Sequence, residues 1–118
     1  MPHLAPARVL GDLIFTSGQL GYGDDGRLAT GIDQQARACL KRLGELLAAH
    51  GSGLDDIVKT TIWLRNAEDF THFDAVYAEI LGNNRPARST LVCSFPKSEV
   101  LIEIEAIAKS NAQHGISA

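Results

Sequence analysis

Apolar residues recur along the chain in two helical stripes. From about residue 32 to residue 50 they fall three and four positions apart, and Gly51 follows. This spacing predicts an amphipathic helix. A second stripe predicts another helix, which begins near Asn66 and is closed by Gly82. The stripes consist of Ile32, Ala36, Leu40, Leu43 and Leu47 in the first helix, and Phe70, Phe73, Tyr77, Ile80 and Leu81 in the second.

Shorter runs rich in β-branched and aromatic residues predict strands around these helices. They cover residues 7–10, 13–17, 57–64, 88–95 and 100–108. The last two runs follow each other closely, so we expect them to pair as a hairpin. The order β-β-α-β-α-β-β predicts an α+β domain, in which a single mixed sheet carries both helices on one face.

The alternation of side chains along each strand assigns residues to the two faces of this sheet. We expect the helix-facing side to carry Ile14, Val58, Ile62, Ile102, Ile104 and Ala106. The opposite side then mixes apolar and charged residues: Leu13, Phe15, Ser17, Lys59, Thr61, Trp63, Leu101, Glu103, Glu105 and Ile107. No third helix is predicted to cover this side. Because large exposed apolar patches usually mark interfaces, the sequence predicts self-association.

The composition is that of one ordinary globular domain. The 118 residues are 45% hydrophobic and carry a formal net charge of -3 at pH 7. We therefore expect one domain over residues 1–118, with a disordered tail over 110–118. An acidic chain without a basic cluster does not favour nucleic acid or a membrane surface as a partner. With two distant cysteines and no leader-like or long apolar segment, the expected location is the cytoplasm.

Three features that resemble functional motifs have simpler explanations. The G-x-G-x-x-G pattern at residues 21–26 contains two aspartates that would repel phosphate, so we interpret it as a loop. The four histidines are scattered, and no metal site is predicted. Ser17 and Ser89 have no histidine placed to activate them, which disfavours a hydrolase triad. Cys93 lies in a predicted strand and is expected to be a small core residue.

Arg88 and Glu103 are charged residues within predicted apolar strands. Such groups cost free energy unless they pair, reach solvent or bind a ligand. One interpretation is a cross-strand salt bridge between the two. The other is functional: a guanidinium can hold a carboxylate in two parallel hydrogen bonds, while a nearby glutamate orients or deprotonates a water. The residues themselves leave both interpretations open.

Several segments resemble the RidA/YjgF family of enamine/imine deaminases. They read GDLIFTSGQ at residues 11–19, DIVKTT at 56–61, PARS at 86–89 and IEIEAIA at 102–108. The resemblance implies a chorismate-mutase-like fold that assembles as a homotrimer, with ligand clefts between subunits. It also implies hydrolysis of 2-aminoacrylate-type enamines and 2-iminoacids to 2-oxo acids and ammonia, without a cofactor.

The resemblance assigns roles to individual residues. Arg88 would grip the substrate carboxylate, and Glu103 would position or activate the water. Ser17, Gly18 and Thr90 would line the cleft, Thr90 at a position where some members have cysteine.

Two further positions depart from the family pattern. Asp74 stands where the well-studied enzymes have asparagine, and it would add negative charge near the substrate. By register, Leu4 replaces the tyrosine that closes the family's cleft.

Two other functions are alternatives to the deaminase. A non-catalytic trimer of the same fold would bind small carboxylates or shield unfolded clients, and Leu4 and Asp74 favour it. Ribonuclease activity is attached to relatives under the name L-PSP. It is disfavoured here because the acidic chain lacks a basic surface studded with aromatic residues.

Overall fold

A six-stranded mixed sheet forms the centre of the structure, a computed structural model that describes residues 2–111. The strands are β1 (Ala7–Leu10), β2 (Leu13–Thr16), β3 (Gln19–Leu20), β4 (Ile57–Leu64), β5 (Ala87–Val92) and β6 (Ile102–Lys109). Their order is β1-β2-β6-β4-β5, and β3 also pairs with β6. Strands β4 and β5 are parallel, whereas the other pairs are antiparallel.

Two helices, α1 (Ile32–Ala48) and α2 (Phe70–Leu81), pack against each other on one side of this sheet. Short 3₁₀ turns, Leu54–Asp56 and Ala67–Asp69, precede β4 and α2. Glycines follow both helices with positive φ, 73° at Gly51 and 58° at Gly82, a conformation that favours glycine. The predicted α+β arrangement, with both helices on one face, is therefore confirmed.

The core lies between the helices and the sheet. Leu40 and Leu43 of α1, Phe73 of α2, and Ile62 and Ile104 of the sheet are all fully buried there. Burying an apolar side chain of this size contributes about 1.5–3 kcal/mol. The two apolar stripes therefore determine which side of each helix meets the sheet.

A β-bulge in β4 changes the face of one predicted core residue. The pairing of β4 with β6 shifts register between Ile57 and Lys59. As a result Ile57 is buried, whereas Val58 is 44% exposed. The prediction that Val58 faces the helices is wrong, because a bulge inserts a residue that strict alternation does not anticipate. The other residues predicted for that face are buried: Ile14, Ile62, Ile102, Ile104 and Ala106.

The last two strands do not form the predicted hairpin. Strand β4 lies between β5 and β6 and pairs with both. The segment joining β5 to β6 is held by Arg65, which donates hydrogen bonds of 2.8 Å to the carbonyls of Val100 and Lys97. A cross-strand salt bridge between Arg88 and Glu103 is therefore also excluded.

The described end of the chain is ordered where the sequence predicted a disordered tail. Ser110 is 4% exposed, and its N–H donates to the carbonyl of Asp12. Asn111 donates from its backbone to Gly51 and from its side chain to Asp56. The prediction is wrong for these two residues, whose backbones are tied to neighbouring loops. The rest of the predicted tail, residues 112–118, lies outside the described residues.

Candidate functional site

One face of the sheet is left uncovered by the helices, as the alternation predicted. It combines apolar side chains such as Phe15 and Trp63 with the carboxylates of Glu103 and Glu105. Lys59 on the same face donates to the Ser89 hydroxyl at 3.0 Å. These side chains are partly or fully exposed in the single chain, so the face is available for self-association.

Arg88 lies on the helix side of β5, at the edge of the sheet. Its Nη1 donates a 2.7 Å hydrogen bond to Oδ1 of Asp74 on α2, and the arginine side chain is 24% exposed. The guanidinium carbon lies 4.9 Å from the ring centroid of Tyr77 and 5.4 and 5.5 Å from those of Phe70 and Phe73. One carboxylate and three aromatic rings therefore hold the guanidinium, the rings through cation–π attraction.

Tyr77 is itself fixed by Thr60 of β4. The tyrosine hydroxyl and Thr60 Oγ1 share a 2.7 Å hydrogen bond, and Thr60 is 0% exposed. Burial raises the pKa of Tyr77, which keeps the phenol neutral. Thr60 and Arg88 are register partners in the adjacent strands β4 and β5. Strand β4 therefore fixes, through Thr60, the Tyr77 ring that supports the arginine.

Arg88 and Asp74 line a pocket of about 360 Å³ at this edge of the sheet. Its walls come from α2, the following loop and the start of β5: Tyr77, Ala78, Leu81, Gly82, Asn84, Arg85 and Pro86. This volume falls within the range typical of small-molecule sites.

Glu103 lies on the other, uncovered face of the sheet, where its register partner in β4 is Trp63. Burial, and secondarily the charge of Glu105, raise the pKa of Glu103. A carboxyl group whose pKa is moved towards neutral is suited to proton transfer. The side chain rests against Gly18, where an added Cβ would lie 2.7 Å from the carboxyl carbon of Glu103. Gly18 therefore provides the space that this carboxyl group occupies.

Ser17 lies beside Gly18 in a second pocket of about 310 Å³, together with Leu4 and Arg42. Its hydroxyl donates a 2.6 Å hydrogen bond to the carbonyl of Ala5. This contact links the serine to the N-terminal segment, which includes Leu4, and directs the hydroxyl proton to a backbone carbonyl instead of a base.

The predicted site residues thus fall into two groups within one chain. Arg88, Asp74 and Thr90 lie on the helix side, because Thr90 is the register partner of the buried Ile62. Ser17 and Gly18 lie with Glu103. Strand β4 separates Arg88 from Glu103, and their side chains point to opposite faces, so a single chain does not bring them together.

The aromatic surroundings of Arg88 were missed by the sequence reasoning. Phe70, Phe73 and Tyr77 were assigned only to the apolar stripe of α2, yet their rings also surround the guanidinium. The sequence carried no direct signal for this contact, because the partner that the buried Tyr77 phenol needs is Thr60 and not Arg88.

In the part of the chain that the structure describes, the other sequence features form no recognisable site. In the glycine-rich loop, the Gly26 N–H donates to Gly23, and α1 begins only at Ile32. Cys93 follows the end of β5 and is only partly buried, so the prediction that it is a core residue within a strand is wrong. Burial raises the pKa of the other cysteine thiol, that of Cys39, to about 12, which disfavours the nucleophilic thiolate. Within residues 2–111, no group of three His, Cys, Asp or Glu side chains could hold a metal ion. In the same part of the chain, no helix has the length and apolar character needed to cross a membrane.

Residues 3–110 match the family profile described as Endoribonuclease L-PSP. The chain belongs to this family, the YjgF/RidA family. The human 2-iminobutanoate/2-iminopropanoate deaminase is 38% identical over 80% of this chain and 71% of the relative. The predicted family resemblance is thus confirmed.

Solved structures of YjgF/RidA proteins have the same fold. The crystal structure of the Escherichia coli YjgF gene product is 34% identical, with a TM-score of 0.84 over 90% of this chain and 87% of the other. Escherichia coli TdcF with bound serine is 29% identical, with a TM-score of 0.87 over 94% and 91%.

Proposed function

We propose that this YjgF/RidA protein is a hydrolytic deaminase of small 2-iminoacids and their enamine tautomers, with 2-oxo acids and ammonia as products. The observation that carries this proposal is the guanidinium of Arg88, held in a pocket wall by Asp74 and three aromatic rings. The name of the human relative, 38% identical to this chain, supports the reaction class.

Arg88 is the proposed anchor for the substrate carboxylate. A guanidinium offers five N–H donors in a planar fork. Among residues 2–111, Asp74 accepts the one side-chain hydrogen bond that Arg88 donates, from Nη1. The remaining donors can bind a carboxylate, and the surrounding rings hold them in place before the substrate arrives.

Glu103 is the proposed acid–base group. An imine carbon is already electrophilic, so the reaction needs one correctly placed water. Glu103 would accept a proton from that water as its oxygen bonds to the imine carbon, and would return this proton to the imine nitrogen. The resulting carbinolamine would release ammonia as Glu103 moves the hydroxyl proton to the nitrogen, the C–N bond breaks and the C=O bond forms. The raised pKa of Glu103 supports both halves of this proton exchange.

The proposed site is shared between two copies of the chain. Arg88 and Glu103 point to opposite faces of one sheet, so they can act on one substrate only across a subunit interface. The uncovered face, which includes Phe15, Trp63 and Ile107, is the surface through which copies would associate. A homotrimer of chorismate-mutase-like architecture is the assembly that we propose.

The direct test couples the protein to an enzyme that releases 2-aminoacrylate. Pyruvate formation is then followed against spontaneous hydrolysis. We expect the protein to accelerate pyruvate release in catalytic amounts and Arg88→Ala to abolish the acceleration. Arg37→Ala is a matched control, because Arg37 also pairs with a carboxylate, that of Glu79, but on an exposed surface. No acceleration by the unaltered protein would refute the proposal.

A non-catalytic module that binds small carboxylates is the second candidate. Two observations favour it: Asp74 already occupies one donor of Arg88, and Leu4, at the position expected for a cleft-closing tyrosine, is 64% exposed. Such a module would bind pyruvate in calorimetry without accelerating its release from 2-aminoacrylate.

A further inference from the structure

We propose that the pocket beside Arg88 accepts 2-iminoacids that carry a second carboxylate, and that Arg85 recognises this second group. The inference rests on the proposed function, because it takes Arg88 as the anchor of the first carboxylate. Its basis is that Arg85 and Arg88 line the same pocket of about 360 Å³.

The charges around this pocket favour a ligand with two negative groups. They comprise two guanidinium groups and one carboxylate, that of Asp74. Asp74 is paired with Arg88, whereas Arg85 forms no ion pair within residues 2–111. When Arg88 binds the first carboxylate, Arg85 therefore remains as a second cation at the same cavity. A guanidinium matches a carboxylate in both charge and planar geometry.

The backbone that carries Arg85 is fixed on both sides. The side-chain amide of Asn84 donates hydrogen bonds of 3.0 and 3.1 Å to the carbonyls of Leu54 and Ile57, and its backbone N–H donates to the carbonyl of Leu81. Pro86 follows directly, and its ring restricts the backbone φ angle. Arg85 thus projects from a constrained position, and only its own exposed side chain has to order when a ligand binds.

The size of the cavity supports the same substrate class. A three-carbon iminoacid would leave much of the pocket unfilled, whereas a longer side chain could extend from Arg88 towards Arg85. The substrates that combine these features are the imines of dicarboxylic amino acids. A reaction that oxidises the amine of an acidic amino acid would supply them, and hydrolysis would return a 2-oxo dicarboxylate.

Calorimetry with two product-like ligands tests this inference without requiring turnover. 2-Oxoglutarate and 2-oxopentanoate have the same five-carbon chain and differ only by the terminal carboxylate. We expect the unaltered protein to bind 2-oxoglutarate roughly fivefold more tightly than 2-oxopentanoate. A difference of this size matches the binding free energy that a partly exposed ion pair contributes. Arg85→Gln should abolish this preference and leave the affinity for 2-oxopentanoate unchanged. Arg27→Gln, which removes an exposed arginine from a distant loop, should retain the preference.

Equal affinity of the unaltered protein for the two ligands, or no binding of either, would overturn the inference. So would an equal loss of both affinities in Arg85→Gln. A lower melting temperature in this variant with the preference intact would assign Arg85 to stabilising the end of α2 instead. Turnover of 2-iminopropanoate without the preference would remove this inference but keep the proposed deaminase. If the protein prefers 2-oxoglutarate but turns over no iminoacid, the proposed deaminase activity is refuted and the recognition of a second carboxylate by Arg85 is kept.

Discussion

Arg88 and Asp74 form an ion pair across the edge of the sheet, with Nη1 of the arginine 2.7 Å from Oδ1 of the aspartate. The pair joins β5 to α2 and fixes the side of the guanidinium that faces the helix. It also places a negative charge beside the group proposed to bind an anionic substrate. Asp74 therefore orients the proposed anchor and at the same time weakens its attraction for anions.

Arg88→Lys should reduce deaminase activity roughly hundredfold, because a displaced anchor misplaces the substrate relative to the water. Lysine retains the charge but loses the planar fork that binds a carboxylate through two parallel hydrogen bonds. Steady-state kinetics with 2-iminopropanoate measures the effect. Arg37→Lys, the matched change in the exposed pair with Glu79, should leave activity unchanged.

The melting temperature distinguishes a functional role of Arg88 from a purely structural role of its ion pair with Asp74. We expect circular dichroism and the oligomeric state of Arg88→Lys to match those of the unaltered protein. If the variant keeps most of its activity, or loses activity only because it unfolds, the role of Arg88 is structural.

Asp74→Asn should raise kcat/KM for small anionic substrates, mainly by lowering KM. Asparagine keeps an oxygen that can accept the Arg88 hydrogen bond but removes the negative charge. Two unit charges 4 Å apart interact by about 4 kcal/mol at an effective dielectric constant near 20. Relief of about 1.4 kcal/mol would lower KM about tenfold.

Asp74→Ala is the control for this variant, because it removes both the charge and the hydrogen-bond acceptor. With the guanidinium no longer oriented, kcat should fall in Asp74→Ala but not in Asp74→Asn. An unchanged or lower kcat/KM in Asp74→Asn would mean that Asp74 is remote from the substrate or serves a different one.

The elements with long periodic patterns could be predicted from the sequence. The apolar stripes identify both helices, and Gly51 and Gly82 mark where they end. Strand β3 was missed because it consists of two residues, Gln19–Leu20, too few to show any alternation. The exposure of Val58 could not be predicted, since the bulge depends on the pairing of β4 with β6.

The spatial neighbours of the candidate site residues were harder to predict. Sequence proximity favoured pairing of the last two strands, whereas β4 occupies the place between them. Arg88 forms its ion pair with Asp74 of α2, which lies 14 residues earlier in the sequence. Packing of the helix against the sheet brings Asp74 to the sheet edge formed by β5. The residue types suited to the proposed chemistry were visible in the sequence, but their opposite orientations follow only from the three-dimensional pairing.

The activity should fall on the acid side of its pH profile at a pH above the usual Glu pKa of 4.5. Burial raises the pKa of Glu103, with a smaller contribution from Glu105, so the basic form appears only at higher pH. Glu105→Gln removes the like charge and should shift this limb to lower pH. An unchanged pH profile of kcat/KM in Glu105→Gln would contradict the assignment of the limb to Glu103.

Glu103→Gln separates the role of Glu103 in the reaction from its effect on the stability of the fold. The folded pKa of Glu103 lies above the unfolded value, so its favourable contribution to stability is present at low pH and is lost as pH rises through the folded pKa. The variant should therefore be inactive yet melt slightly higher than the unaltered protein at neutral pH. The difference should vanish below the usual glutamate pKa.

Tyr77→Phe should destabilise the fold by about 1–3 kcal/mol, because it leaves the buried hydroxyl of Thr60 without its partner. Thr60→Val in the same background should recover part of this loss, and a double-mutant cycle in urea measures the coupling. The phenylalanine ring still lies beneath Arg88, so Tyr77→Phe should weaken carboxylate binding less than Tyr77→Leu does. Purely additive free energies in the cycle would show that the Thr60–Tyr77 hydrogen bond does not stabilise the protein.

Mixing two inactive variants should restore activity if the site is shared between copies. Arg88→Lys retains a normal Glu103, and Glu103→Gln retains a normal Arg88. Because the two side chains point to opposite faces of one sheet, a mixed assembly would contain interfaces where both normal residues meet. The two variants are denatured together, refolded and assayed, with light scattering to confirm a trimer.

In a randomly mixed cyclic trimer, each interface has a one-in-four chance of joining normal Arg88 to normal Glu103. Equal amounts of the two variants should therefore recover about a quarter of the unaltered activity. A double variant, Arg88→Lys with Glu103→Gln, mixed with either single variant should recover none, because one of the two normal residues is then missing from every assembly. No recovery in correctly assembled mixtures of the two single variants would place the reacting groups within one chain. A monomer in light scattering at micromolar concentration would refute the shared site itself.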